Sequence, residues 1–165
     1  MRKQTTIKID DAGHNLTFHI TQLSARSLEI FLFKAAKIFA KAGLLDADFD
    51  SVKDATDITA SIAKLLLDNG PQVISKFDVD AGAELMDDLL EKCVERVDGG
   101  LARIMSPSEI EASFESLPAL FQLQKETLKL NLNFLSSVAQ SNTQASHAKP
   151  TNTQDQKISL RSYKS

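Results

Sequence analysis

"TTIKIDDAGHNLTFHITQL", residues 5–23, holds two apolar–polar alternations separated by turn chemistry. Ile7 and Ile9 alternate with polar neighbours, "DAGHN" supplies the turn with Gly13, and Leu16, Phe18 and Ile20 alternate again while Thr17, His19 and Thr21 face the other way. A period of two on both sides of a turn predicts a β-hairpin over 5–23. An isolated two-stranded hairpin is marginal in water, so its apolar face must be covered by helices. His14 in the turn and His19 on the outer face read as solvated residues, not as ligands.

From Ser24 onward the spacing becomes helical. Ser24 is a candidate N-cap and Gly43 a candidate C-cap for a helix over 25–42. A second helix is expected from about Asp54 to Asp68, stopping at Asn69–Pro71 and burying Ile58, Ile62, Leu65 and Leu66. "QVISKF" reads as one or two helical turns. Asp80 then caps a helix over about 81–96, with Leu85, Met86, Leu89, Leu90, Cys93, Val94 and Val97 on one half of the wheel. Glu84, Asp87, Asp88, Glu91 and Glu95 occupy the other half, which makes an amphipathic helix with a negative outside. "VDGGLARIM" is a turn with a short extended piece. Ser106, Pro107 and Glu109 mark a helix start with a capping box. Pro118 opens the last helix, to about Gln140.

The expected fold is mainly α with a small N-terminal β-hairpin (α+β), four to six helices packing on the hairpin. Residues 1–140 form one domain, with the hairpin at 5–23 and the helices within 25–140. The polar segment 141–165 cannot bury enough to offset its ordering entropy and is expected to be disordered.

At 165 residues, with 42% hydrophobic and 25% charged residues, the chain has an ordinary globular composition and a length that favours a single domain. No apolar run is long enough to span a bilayer, and "MRKQTTIKID" has no apolar h-region, which argues against secretion. A single cysteine, Cys93, rules out an internal disulfide and fits a reducing cytosol. The net charge of −3 conceals an asymmetry: residues 1–42 hold seven Lys/Arg against three Asp/Glu, whereas residues 43–100 hold five against fourteen. Nucleic-acid binding would need a denser basic surface with aromatic stacking or a groove-reading helix. Opposite charges on separate elements point instead to complementary surfaces, within one chain or between copies.

The residues do not form a catalytic constellation. "DADFDSVKDATD", Asp46–Asp57, places Asp46, Asp48 and Asp50 at the first acidic positions of a calcium loop. Ser51 replaces the required glycine, however, and Asp57 is too short for the usual glutamate, so a solvated acidic loop is the simpler reading. One cysteine and three scattered histidines supply no metal-ligand spacing. No glycine-rich phosphate loop or nucleophile elbow occurs. Neither an enzyme activity nor a cofactor is expected.

Two helices are unusual. In "RSLEIFLFKAAKIFAKAG", residues 26–43, Leu28, Phe31, Leu32, Ala35, Ile38, Phe39 and Ala42 make a core face, with Arg26, Lys34, Lys37 and Lys41 opposite. Ile30 projects among those lysines and Phe33 sits at their edge. Either another part of the chain covers this pair, or Ile30, Phe33, Lys34, Lys37 and Lys41 form a partner-docking surface. In "PALFQLQKETLKLNLNFLSSVAQ" the apolar arc spans roughly 200°. Gln124, Thr127 and Asn131 run down its middle, and such polar residues can fix register in an assembly or meet buried backbone groups of the chain's own core. Self-association or partner contact through Gln124, Thr127, Asn131 and Phe134 is the favoured expectation.

A β-hairpin ending in "FHITQLSARSLEIFLFKAAKIF", followed by helices, a "VDGG" turn and a final helix ending "KLNLNFL", is similar to the tail assembly chaperones of long-tailed bacteriophages. The likeness covers about residues 5–138, and Asn133-Phe134 matches the family's closing Asn–aromatic pair. The resemblance implies a non-enzymatic protein of the host cell cytoplasm that shields a helical tape measure protein until tail tube subunits replace it. Tube subunits are then possible partners too, and the chain would be a weak homo-oligomer that binds neither nucleic acid nor membrane. The competing expectations are a structural or adaptor protein retained in the phage particle and a small nucleic-acid-binding regulator.

Overall fold

The computed structural model describes the backbone of residues 1–43, 55–70 and 78–145, and the side chains of 1–43, 59–70 and 78–133. The fold is α+β, with five helices and a four-stranded antiparallel sheet among the described residues. The N-terminal hairpin is formed by β1 (Gln4–Asp11) and β2 (His14–Thr21). Ala12 and Gly13 link them, both at positive φ (52° and 90°). A two-residue connection with both central residues at positive φ matches the right-handed twist of the strands. Alanine there is unusual because its Cβ crowds the backbone.

The expected hairpin is one half of a larger sheet. β3 (Val94–Asp98) pairs with β2, and β4 (Leu101–Ile104) pairs with β3, giving the order β1-β2-β3-β4. The second hairpin turns on Gly99 and Gly100, at φ 55° and 86°. The helical expectation over 81–96 is corrected here. The helix α3 (Val79–Cys93) ends where strand pairing begins, with Ile20 opposite Val94 and Phe18 opposite Arg96. Val94 fits either period. The open edge of β2 decides between them, because unpaired backbone N–H and C=O groups beside the core would be costly.

α1 (Ala25–Lys41) starts at Ser24, whose Oγ accepts from the Ser27 N–H at 3.2 Å. It ends at Gly43, where φ is +68°. α2 (Ala55–Asn69) closes on Gly70 at φ +71°, whose N–H donates to the Leu66 carbonyl. α3 is capped by Asp78, not by the expected Asp80: the Asp78 carboxylate accepts from the Ala81 N–H at 3.0 Å. Asp80 lies in the first turn, where a negative charge is still favourable.

α4 (Pro107–Ser113) has Ser106 as its N-cap, accepting from the Glu109 N–H. The Glu109 side chain does not complete the capping box. It turns toward Ser113, Arg96 and Arg103 instead. α5 (Leu117–Ala145) runs beyond the expected end near Gln140, since "SNTQA" contains neither proline nor glycine to stop it. Ile58, "QVISKF", the acidic segment 46–54, His147 and the rest of 146–165 lie outside the described residues or side chains.

One face of the sheet carries the core. Ile9, Phe18, Ile20 and Val94 pack with Leu28, Phe31, Leu32 and Phe39 of α1, Ile62 and Leu66 of α2, Leu85, Leu89 and Leu90 of α3, and Leu123, Leu128 and Leu132 of α5. Phe18 also stacks on Phe114, ring centroids 5.6 Å apart. The other sheet face shows the polar half of the alternation, including the exposed His19, while His14, also exposed, stands opposite Asp11 at the end of the core face.

Candidate partner-docking surface

The surface begins with the periodicity of α1. Its buried residues are Leu28, Phe31, Leu32, Ala35, Ile38 and Phe39. At about 100° per residue this leaves Arg26, Ile30, Phe33, Lys34, Lys37 and Lys41 on the outward half. Phe33 is 64% exposed and Ile30 is 37% exposed, one turn apart. Single exposed apolar residues are common on protein surfaces. These two adjoin each other on a helix held at both ends, and cations surround them. Arg26 pairs with Glu29 at 2.7 Å.

The lysines face a second helix. α1 and α3 run antiparallel: Lys34 Nζ lies 3.3 Å from Asp88 Oδ2, and a shallow groove farther along is lined by Lys37, Ile38, Lys41, Ala81, Glu84 and Leu85. Asp88 also accepts from Lys92. Burial works against the Asp88 carboxylate, but hydrogen bonds from Lys92 and Lys34 outweigh it and hold its pKa below the usual range. Asp87 has the opposite environment: burial, and then the neighbouring Glu91 charge, push its pKa up. Lys34 is therefore partly committed within the chain, while Lys37 and Lys41 present their charges at the groove.

The structure does not bring the α5 residues to a surface. Thr127 and Asn131 are 0% and 1% exposed, and Gln124 is buried. For Gln124, Thr127 and Asn131 the expected self-association surface is thus corrected to core, for a reason that lies in the backbone. The N–H of Leu23, at the junction of β2 and α1, is buried and donates to Asn131 Oδ1 at 2.8 Å. Asn131 Nδ2 donates to the Thr127 carbonyl at 2.8 Å and to Cys93 Sγ at 3.6 Å. Thr127 Oγ1 donates to the Leu123 carbonyl at 2.8 Å. No buried side-chain polar atom lacks a partner among the described residues. Phe134 lies on the helical backbone of α5, and its side chain is outside the described set. Beside Asn131, burial pushes the Cys93 thiol up to about 12, only partly offset by the Asn131 hydrogen bond, which leaves it an inert core group.

Other polar constellations emerge only in three dimensions. Asp11, nearly fully buried at the rim of the sheet, accepts from the Glu115 N–H at 2.7 Å and from the Ser116 hydroxyl. These bonds hold the Asp11 carboxyl below its ordinary pKa. Arg96 joins the sheet to α4 through Ser113 at 3.0 Å and Glu109 at 3.9 Å. Both clusters span about a hundred or about seventeen positions of chain, and no local spacing signals them. Among the described residues, no group of three or more His, Cys, Asp or Glu could hold a metal ion, and no helix is long and apolar enough to cross a membrane.

Comparison with protein-family models, with curated proteins and with solved structures found no match.

Proposed function

We propose that this chain is a non-enzymatic assembly chaperone that holds a helical client against the outward ridge of α1, as the resemblance to phage tail assembly chaperones implies. The observation that carries the reading is the pair Ile30 and Phe33, exposed on a capped helix and flanked by Arg26, Lys34, Lys37 and Lys41. A client helix with an apolar stripe bordered by acidic residues fits such a ridge: its apolar side chains meet Phe33 and Ile30 while the lysines steer it. In the phage reading that client is the tape measure protein, tail tube subunits are the competing partners, and the setting is the host cell cytoplasm. A shallow contact of this kind releases readily, which suits a chaperone that must leave, and several copies along one client supply the grip.

The test is co-expression with a tape measure protein. Wild-type chain should co-purify with it, and the double substitution Ile30→Asp with Phe33→Asp should abolish co-purification while leaving circular dichroism unchanged. Equal capture by the double variant refutes the ridge. Detection of the chain in purified particles at a fixed copy number would instead favour a structural or adaptor role.

A further inference from the structure

The outward faces of α1 and α3 carry opposite charge side by side. On α1 the stripe is Lys34, Lys37 and Lys41; on α3 it is Asp80, Glu84, Asp87 and Glu91. Among the described residues, Lys37, Lys41, Asp80, Glu84, Asp87 and Glu91 form no ion pair. Two features make this surface complementary to itself. The stripes lie on adjacent antiparallel helices that share one groove, and Lys34 sits beside Asp88. Equal rise along two antiparallel helices then puts Lys37 at the height of Glu84 and Leu85, and Lys41 at that of Ala81, next to Asp80.

We propose that this face pairs with a second copy of the same chain, across a two-fold axis that runs between α1 and α3 and parallel to them. Such an axis carries each basic helix over the other chain's acidic helix without changing its height. Lys37 then meets the partner's Glu84, and Lys41 meets the partner's Asp80. The same contacts recur in reverse, so Lys37, Lys41, Asp80 and Glu84 each gain an ion pair between chains. An axis perpendicular to the helices but in the same plane would place lysines over lysines, and charge excludes it. Phe33 lies toward the flank of α1 turned away from α3, whereas Ile30 falls among Lys34, Lys37 and Lys41 on the paired face, so this pairing overlaps the apolar ridge but does not depend on a client. Lys37 and Lys41 belong to both surfaces, so self-pairing and client docking compete.

The test uses the full chain and two exposed charge reversals, Lys37→Glu with Lys41→Glu and Asp80→Lys with Glu84→Lys, followed by light scattering or sedimentation. The wild-type chain should pass from one to two copies as concentration rises at low salt, and added salt should reverse this. Each reversal changes four contacts across the interface, so the dissociation constant should rise at least about tenfold for either variant alone. Mixing the two variants should restore a dimer containing one of each, because the altered stripes again oppose unlike charge. A wild-type chain that stays monomeric at low salt, a dimer indifferent to both reversals, or a mixture that stays monomeric while both variants keep the wild-type circular dichroism would overturn the proposal. If either double variant loses that spectrum, Lys37→Glu and Glu84→Lys alone provide the same comparison.

Discussion

Asn131→Ala separates a core role for the polar residues of α5 from an interface role. The substitution leaves the buried Leu23 N–H without its acceptor, now at 2.8 Å. An orphaned buried donor costs about 1–3 kcal/mol, and the three-atom void adds about 1 kcal/mol. Losing the Nδ2 donor adds little, because the Thr127 carbonyl keeps the ordinary hydrogen bond of the helix. The expected destabilisation is therefore about 2–4 kcal/mol, with the lower figure applying if a water enters the space and satisfies Leu23. For a chain of this size that is about 4–16 °C in Tm. Thr127→Val makes the contrast. Its hydroxyl donates only to the Leu123 carbonyl, which the helix already satisfies, so the cost should stay below about 1 kcal/mol. Urea denaturation monitored by circular dichroism reads both, as a shift of midpoint at constant slope. An Asn131→Ala protein with wild-type stability, or a Thr127→Val protein destabilised as strongly, would refute this account. So would an Asn131→Ala protein whose only change is in oligomeric mass.

Three further outcomes follow from the same structure. Cys93, with its thiol pushed up to about 12 by burial, should resist aromatic disulfide reagents at pH 8 in the native state and react at once in denaturant. Asp11 has a depressed folded-state pKa, so its contribution to stability is present above the unfolded-state value near 3.8 and is lost as pH falls through the lower folded value. Asp11→Asn should accordingly flatten the acid limb of a stability-against-pH curve while lowering stability at neutral pH. Phe18→Ala, at a position that is 0% exposed and stacked on Phe114, should cost about 3–5 kcal/mol in chemical denaturation.

The local chemistry of this chain was legible in its residues. Alternation placed the first hairpin, and Ser24 and Ser106 announced two helix starts that the backbone adopts. The core face of α1 follows from spacing alone, and so do the two outward residues that spacing could not bury, Ile30 and Phe33. These features depend on neighbours within one or two turns, which a sequence displays directly.

The sequence by itself therefore determined which segments are helical or extended at the N-terminus, where helices begin, and which side of α1 must be buried. Only the tertiary structure decided the fate of Val94–Asp98, because its pattern suits both a helix end and a strand. The unpaired edge of β2, more than seventy residues earlier, selected the strand. Likewise, Asn131 reads as an interface residue on its own helix and becomes a core residue only once the Leu23 N–H lies against it. A buried backbone donor needs an acceptor wherever the chain can bring one, and which residue answers that need depends on packing between elements distant in sequence.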